Sequence, residues 1–389
     1  MLAGLSFARK TVLAAAVILA TQAHAQTAPV KVGLMLPATG TFAALGTAIE
    51  NGFRLYVAEH GGKLAGREIQ YFKVDDESDP SKATDNINKL IKRDQVDVVV
   101  GPVHSGVALA MAKVTKETNT LLIVSNGGAD AITGPMCAKN IFRAGYSNWQ
   151  PSYATGKLVA ERGHKTAMTI SWNYAAGTES SKAFAEAFEQ GGGKVVGNLQ
   201  LPFPNVEFQA LLTQIASQKP DAVYAFFAGS GAVKFVKDYH AAGLSKTIPL
   251  YGSGFLTDGT LEAQGEAAQG LLTTLHYADN LNTPRDNAFR LNYAKTYKTN
   301  ADVYAVHGYD SAQMLEAGLK AAGGDVKQLD KMIAAMETMV VDSPRGKFKL
   351  SAAHNPIENI YLRKVNGKMN EYQGVAIKDL ADPAKGCKM

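Results

Sequence analysis

Asp97-Val-Val-Val-Gly-Pro-Val-His-Ser-Gly106 decides how this chain is read. The run of β-branched residues predicts a short buried strand, and Gly101-Pro102 ends it because proline cannot continue a central strand. Val107-Ala-Leu-Ala-Met-Ala-Lys-Val-Thr-Lys116 then predicts a helix. Ser105 and Gly106 fall where that helix begins, with unpaired backbone N–H groups and the positive end of the helix dipole. Such a place holds a carboxylate or another anion. Leu121-Leu-Ile-Val124, followed by Ser125-Asn-Gly-Gly-Ala-Asp130, repeats the design. Two neighbouring strands that end in small polar turns predict a ligand crevice at the carboxyl edge of a parallel sheet.

Upstream, Val30–Leu36 predicts the first strand and Ala43–Glu59 the first helix. Glu68–Asp75 alternates as a strand does, and Asp79-Pro80 is an N-cap with proline at the first helical position. Downstream of Asn140 the alternation starts again. Strands are expected at Thr166–Ser171, Lys194–Gly197, Asp221–Phe227, Ile248–Tyr251 and Leu271–Leu275, with helices between them. Helices dominate from Pro284 to Met336. The tail returns to strands at Gly346–Leu350 and Ile357–Val365, and Asn366-Gly367 signals a hairpin. The expected fold is α/β, with two doubly wound parallel-sheet lobes.

Residues 1–25 read as an export signal: Arg9 and Lys10 precede an apolar stretch too short to span a bilayer, and Ala23-His24-Ala25 is a cleavage site. The alternative is an uncleaved anchor. No cysteine stands at the cleavage site, which argues against a lipoprotein. The formal charge of +5 falls to +3 when Arg9 and Lys10 are removed. The basic residues are scattered rather than clustered, so no nucleic-acid partner is expected. Cys137 and Cys387, an even pair in an exported chain, suggest one disulfide closing a large loop; two free thiols are the other possibility.

The chain lacks a P-loop, a zinc-protease helix motif, a nucleophile elbow and a dinucleotide fingerprint. No cofactor and no metal are expected. Asp75, Asp76, Glu77 and Asp79 lack the spacing of a calcium loop and read as a solvated turn with a helix cap. His104 and His307 have no partners at metal-ligand spacing and read as ordinary polar residues. The aromatics are more informative. Phe42, Tyr146, Trp149, Tyr174, Phe255 and Tyr309 fall at predicted strand ends or in turns, where they are candidates for a pocket wall. Asn148, beside Trp149, joins them.

The motifs Gly33-Leu-Met-Leu-Pro-Ala-Thr-Gly40, Asp75-Asp-Glu-Ser-Asp-Pro80, Val96-Asp-Val-Val-Val-Gly-Pro102 and Ile141-Phe-Arg143 together carry a resemblance. From about Val30 to its end the chain resembles the branched-chain amino-acid-binding family, the type I periplasmic binding proteins of ABC importers. The resemblance implies two lobes joined by a three-strand hinge, with ligand held between them. The lobes expected are 26–146 plus 280–348, and 147–279 plus 349–389. It implies a monomeric receptor that serves membrane permease subunits. It places the ligand's carboxylate on Ser105 and on the turn at Gly127 and Ala129, where the family's hydroxyl is missing. It matches a second-lobe tyrosine to Tyr174 and a covering aromatic to about Leu45, near Phe42.

The family's acid, which pairs the ligand's ammonium, falls at about Gly254, where no carboxylate stands. A buried ammonium without a partner costs several kcal/mol. The expected ligand is therefore an aromatic carboxylate, such as a benzoate, hydroxybenzoate or phenylpropenoate, with an amino acid as the alternative. Asp130 is placed to supply the missing charge or to accept a ring hydroxyl. Arg143 is placed either to pair a carboxylate or to form a structural ion pair. An exported enzyme on this scaffold would need a nucleophile and base converging in the cleft, which the sequence does not offer. A sensory ligand-binding module would need a tethered signalling partner, and no later segment is long and apolar enough to span a membrane.

Overall fold

A computed structural model describes residues 28–389; the export signal read at 1–25 lies outside the described residues. Six strands form the first sheet: β1 (Val30–Leu36), β2 (Lys63–Leu64), β3 (Arg67–Asp75), β4 (Val98–Gly101), β5 (Leu121–Val124) and β6 (Ile141–Arg143). Their order is β2-β3-β1-β4-β5-β6. All pairs are parallel except the β2–β3 hairpin, which was not expected from the sequence. Strands β4 and β5 are buried on both faces, as continuous apolar runs require.

The second sheet holds β7 (Thr166–Trp172), β8 (Lys194–Leu201), β9 (Ala222–Phe226), β10 (Leu250–Ser253), β11 (Leu272–Leu275), β12 (Lys349–Leu350), β13 (Pro356–Asn366) and β14 (Met369–Leu380). The order β12-β13-β11-β10-β9-β7-β8, with β14 on β13, is parallel from β7 to β11. The tail strands add an antiparallel edge.

The long helix Val303–Ala321, reached after β11, packs along helix Ala43–Glu59 beside the first sheet. Arg345 ties the connecting segments together. Its guanidinium donates to the carbonyls of Ala144 and Gly145, pairs with Glu358 at 2.5 Å and lies 3.2 Å from Asp310. All three ionisable side chains are buried. Removing one partner of such a cluster costs about 3–5 kcal/mol, because it strands a buried charge. At the C-terminus Cys137 and Cys387 form a disulfide across 250 residues of sequence.

The Asp75–Asp79 turn departs from the solvated one expected. Asp75 accepts the N–H groups of Ala38 and Thr39, and Asp79 caps the turn at Ser81. Asp76, by contrast, is fully buried, and one of its oxygens has no partner among the described residues.

Candidate functional site

The carboxyl ends of β4 and β5 face those of β7, β9 and β10, and a small cavity lies between them. Its open volume is only about 10 Å³, room for about one water and far below the roughly 300–1,000 Å³ of sites for drug-sized ligands. Six rings wall it: Phe42, Tyr146, Tyr174, Phe226, Phe255 and Tyr304. Ser105 and Asn126 are its non-aromatic polar residues. Among the described residues that line it there is no Asp, Glu, Lys or Arg.

Ser105 opens helix Ser105–Thr118. The N-cap is His104, whose Nδ1 accepts the Gly106 N–H at 3.0 Å. Burial lowers the His104 pKa to about 4, so the ring is neutral at pH 7 and free to accept. His104 stacks against Tyr174 at 4.6 Å. Phe42, from the turn after β1, packs against Phe203 at 5.4 Å and Trp172 at 6.1 Å, both beside the second sheet. Nearby the Ser230 N–H donates to the Thr41 carbonyl at 3.3 Å. Gly229 makes this approach possible, since its φ is +55° and a Cβ would lie 2.4 Å from the Thr41 oxygen. The two halves are therefore closed over the cavity.

The polar groups of the cavity are neutral. Tyr304 has a buried hydroxyl with no protein partner among the described residues. Burial raises the pKa of the Tyr146, Tyr174 and Tyr304 hydroxyls, which keeps them protonated donors. Ser105, these hydroxyls and the helix start make a donor set for an anion. The described residues of the lining offer no carboxylate to pair a cation.

Five residues singled out from the sequence, Phe42, Ser105, Tyr146, Tyr174 and Phe255, meet around this cavity. Asn148 stands one contact behind it, with Nδ2 at 3.4 Å from Ser105 Oγ. The others are placed elsewhere. Gly127 donates its N–H to Pro102 and gives its carbonyl to Arg143, and Ala129 gives its carbonyl to Arg143 as well. Arg143 is thus a fully buried brace of the β5 turn rather than a ligand's partner.

Asp130 and Trp149 line a separate pocket with Glu179, Glu186 and Asp382. Asp130 accepts the Trp149 N–H at 3.1 Å. Trp149 donates its ring N–H to Glu186 and stacks on Tyr153. Leu45 is buried beneath Gly259, away from the cavity. Tyr309 lies inside helix Val303–Ala321, where its hydroxyl donates to Glu59 at 2.6 Å. Gly254 gives its carbonyl to Arg363 and does not line the cavity. Phe226, Tyr304 and Asn126 were missed. Phe226 ends a strand, and Tyr304 follows the Asp302 helix cap, so local sequence marks both as core.

The profile of the periplasmic binding protein family matches residues 29–370. The chain belongs to that family. A curated relative named Leu/Ile/Val-binding protein homolog 6, from Brucella melitensis biotype 1, is 29% identical over 362 residues, 91% of this chain and 92% of the relative. Among solved structures, a solute-binding protein of an ABC transporter from R. palustris, in complex with benzoate, is 50% identical. Its TM-score is 0.91, and the match covers 93% of this chain and all of that one. A second, from Rhodopseudomonas palustris BisB5 in complex with 3,4-dihydroxybenzoic acid, is 31% identical, with a TM-score of 0.86 over 91% of this chain and 98% of that one. The type I binding-protein fold expected from the sequence is the fold of this family.

Proposed function

We propose that this chain is the solute receptor of an ABC importer and that its ligand is an aromatic monocarboxylate of the benzoate or hydroxybenzoate class. The observation that carries this reading is the composition of the cavity: six rings, neutral hydroxyl donors at a helix start, and no carboxylate. Such a lining suits a flat anion, whereas an amino acid would bury its ammonium with no carboxylate to pair it. The relatives bound to benzoate and 3,4-dihydroxybenzoic acid support the same class. In this reading Ser105 and the Tyr304 hydroxyl take the carboxylate, while Phe42 and Phe255 flank the ring. The lobes 26–146 plus 280–348 and 147–279 plus 349–389 close as two bodies. The protein works as a periplasmic monomer that presents its ligand to permease subunits, and it performs no reaction of its own. Among the described residues no helix is long and apolar enough to cross a membrane.

A thermal-shift series on the protein from Gln26 onward, with benzoate, 4-hydroxybenzoate and leucine, tests the reading. A ligand at 100 times its Kd adds about 2.7 kcal/mol. At about 2.1 cal/mol/K per residue over roughly 360 residues, that moves Tm by about 3–4 °C. Benzoate or its hydroxylated relative should produce the shift. A shift with leucine and none with either aromatic acid overturns the ligand class.

A further inference from the structure

The carboxylate of Glu179 has an unusual set of partners. Glu179 sits on helix Ala175–Gln190, which packs against β7 and β9 of the second sheet. Its Oε2 accepts the backbone N–H of Asp130 at 3.0 Å, in the turn that follows β5 of the first sheet. The same oxygen accepts Asn148 Nδ2 at 2.7 Å, in the segment joining the sheets. It forms no ion pair with any described Lys or Arg. Both hydrogen-bond partners therefore lie off its own helix and outside the second sheet. Of the two, the Asp130 N–H belongs to the first lobe, so this carboxylate ties its own lobe to the other.

The contact also leads directly to the ligand cavity. Asn148 Nδ2 lies 3.4 Å from Ser105 Oγ, and the Asn148 N–H donates to Gly128 at 2.7 Å. A reciprocal bond, from the Trp149 N–H to Asp130 Oδ1 at 3.1 Å, completes the contact. We propose that Glu179 is the closure latch of the cleft: a positioning residue of the second lobe that grips the Asp130 N–H of the first when the lobes shut, and that holds Asn148 against the anchoring Ser105. The proposal rests on the aromatic-acid reading for its ligand, though not for its geometry. The Asp130 carboxylate beside it opposes a second negative charge, and the pKa of each acid is raised, first by burial.

The test compares wild type, Glu179→Ala and Glu179→Gln by benzoate calorimetry, stopped-flow binding and small-angle scattering with and without benzoate. Glu179→Ala should bind benzoate about tenfold more weakly, mostly through faster release. Its ligand-free form should scatter as a more open particle than wild type, with the same melting temperature within about 1 °C. Glu179→Gln keeps an acceptor oxygen and should recover most of the affinity. Equal affinity of Glu179→Ala and wild type overturns the latch, as does a Gln variant as weak as the Ala variant. If wild type itself fails to bind benzoate, the ligand reading falls; the latch is then judged on ligand-free scattering alone, and superimposable wild-type and Glu179→Ala curves overturn it.

Discussion

Replacing Ser105 by alanine isolates the anchoring group from the fold. Among the described residues the Ser105 hydroxyl has one partner, Asn148 Nδ2 at 3.4 Å, and that amide keeps its stronger bond to Glu179 at 2.7 Å. The helix cap is untouched, because His104 and not Ser105 accepts the Gly106 N–H. Alanine is also the best helix former. Stability should therefore change by less than about 1 kcal/mol. Binding is different, since a hydroxyl donating to a carboxylate in a water-poor site contributes about 1.5–3 kcal/mol. Benzoate affinity should fall by roughly 10–150-fold. Isothermal calorimetry measures the fall, and a denaturant melt of the ligand-free variant checks the fold. An affinity within about twofold of wild type, on a folded variant, would remove Ser105 from the site.

Three further outcomes follow from the placement of other residues. Trp149→Ala should leave benzoate affinity within about twofold by calorimetry, since its ring faces Glu186 and Tyr153 rather than the cavity; a larger loss would put the ring back in the site. Asp76 is buried with no cationic partner among the described residues, and its carboxyl is pushed up to about 7 by burial. The folded state then holds that proton more tightly than the unfolded one, so its stabilisation is full below about pH 4 and is lost as pH rises through 7, by at most about 4 kcal/mol. Asp76→Asn should flatten this slope in urea melts between pH 5 and 8.5, and an unchanged slope refutes the assignment. Replacing both Cys137 and Cys387 by serine should cost about 2–4 kcal/mol, or roughly 3–5 °C in Tm. Equal melts with and without the disulfide would show that the tail adds nothing.

The fold was legible because its signals are local. Val98–Val100 and Leu121–Val124 are β-branched or apolar runs cut off by turn residues, and such runs make central strands. The anchor was legible for the same reason, since Ser105 follows directly from where β4 must end. Residues brought in by helix rotation were not legible. Tyr309 and Tyr304 share one helix, five residues apart, which places them about 140° apart around its axis. Tyr304 faces the cavity and Tyr309 faces Tyr56 and Phe289. A stretch buried at nearly every position gives no apolar stripe from which to choose between them. Trp149 was misplaced by a similar ambiguity. It opens helix Trp149–Glu161, and the direction of a side chain at a helix start depends on what packs there, in this case helix Ala175–Gln190.

The absence of an acid at Gly254 turns out to be enforced by packing. A Cβ at that position would lie 2.3 Å from Arg363 Nη2 and 2.6 Å from the Leu275 Cβ. Neither neighbour is free to move. Arg363 is 1% exposed, pairs with Asp258, and donates to the carbonyls of Gly254 and Tyr277 and to the Thr273 hydroxyl. Shifting it would strand the buried Asp258 carboxylate, at about 3–5 kcal/mol. Asp258 cannot serve an ammonium itself, because its oxygens are taken by Arg363 and the Val303 N–H. The packing around Gly254 thus keeps a side chain, and with it a carboxylate, out of this position. A glutamate installed at 254 alone would break the Arg363 brace, so placing a carboxylate there requires rebuilding Gly254, Arg363 and Asp258 together.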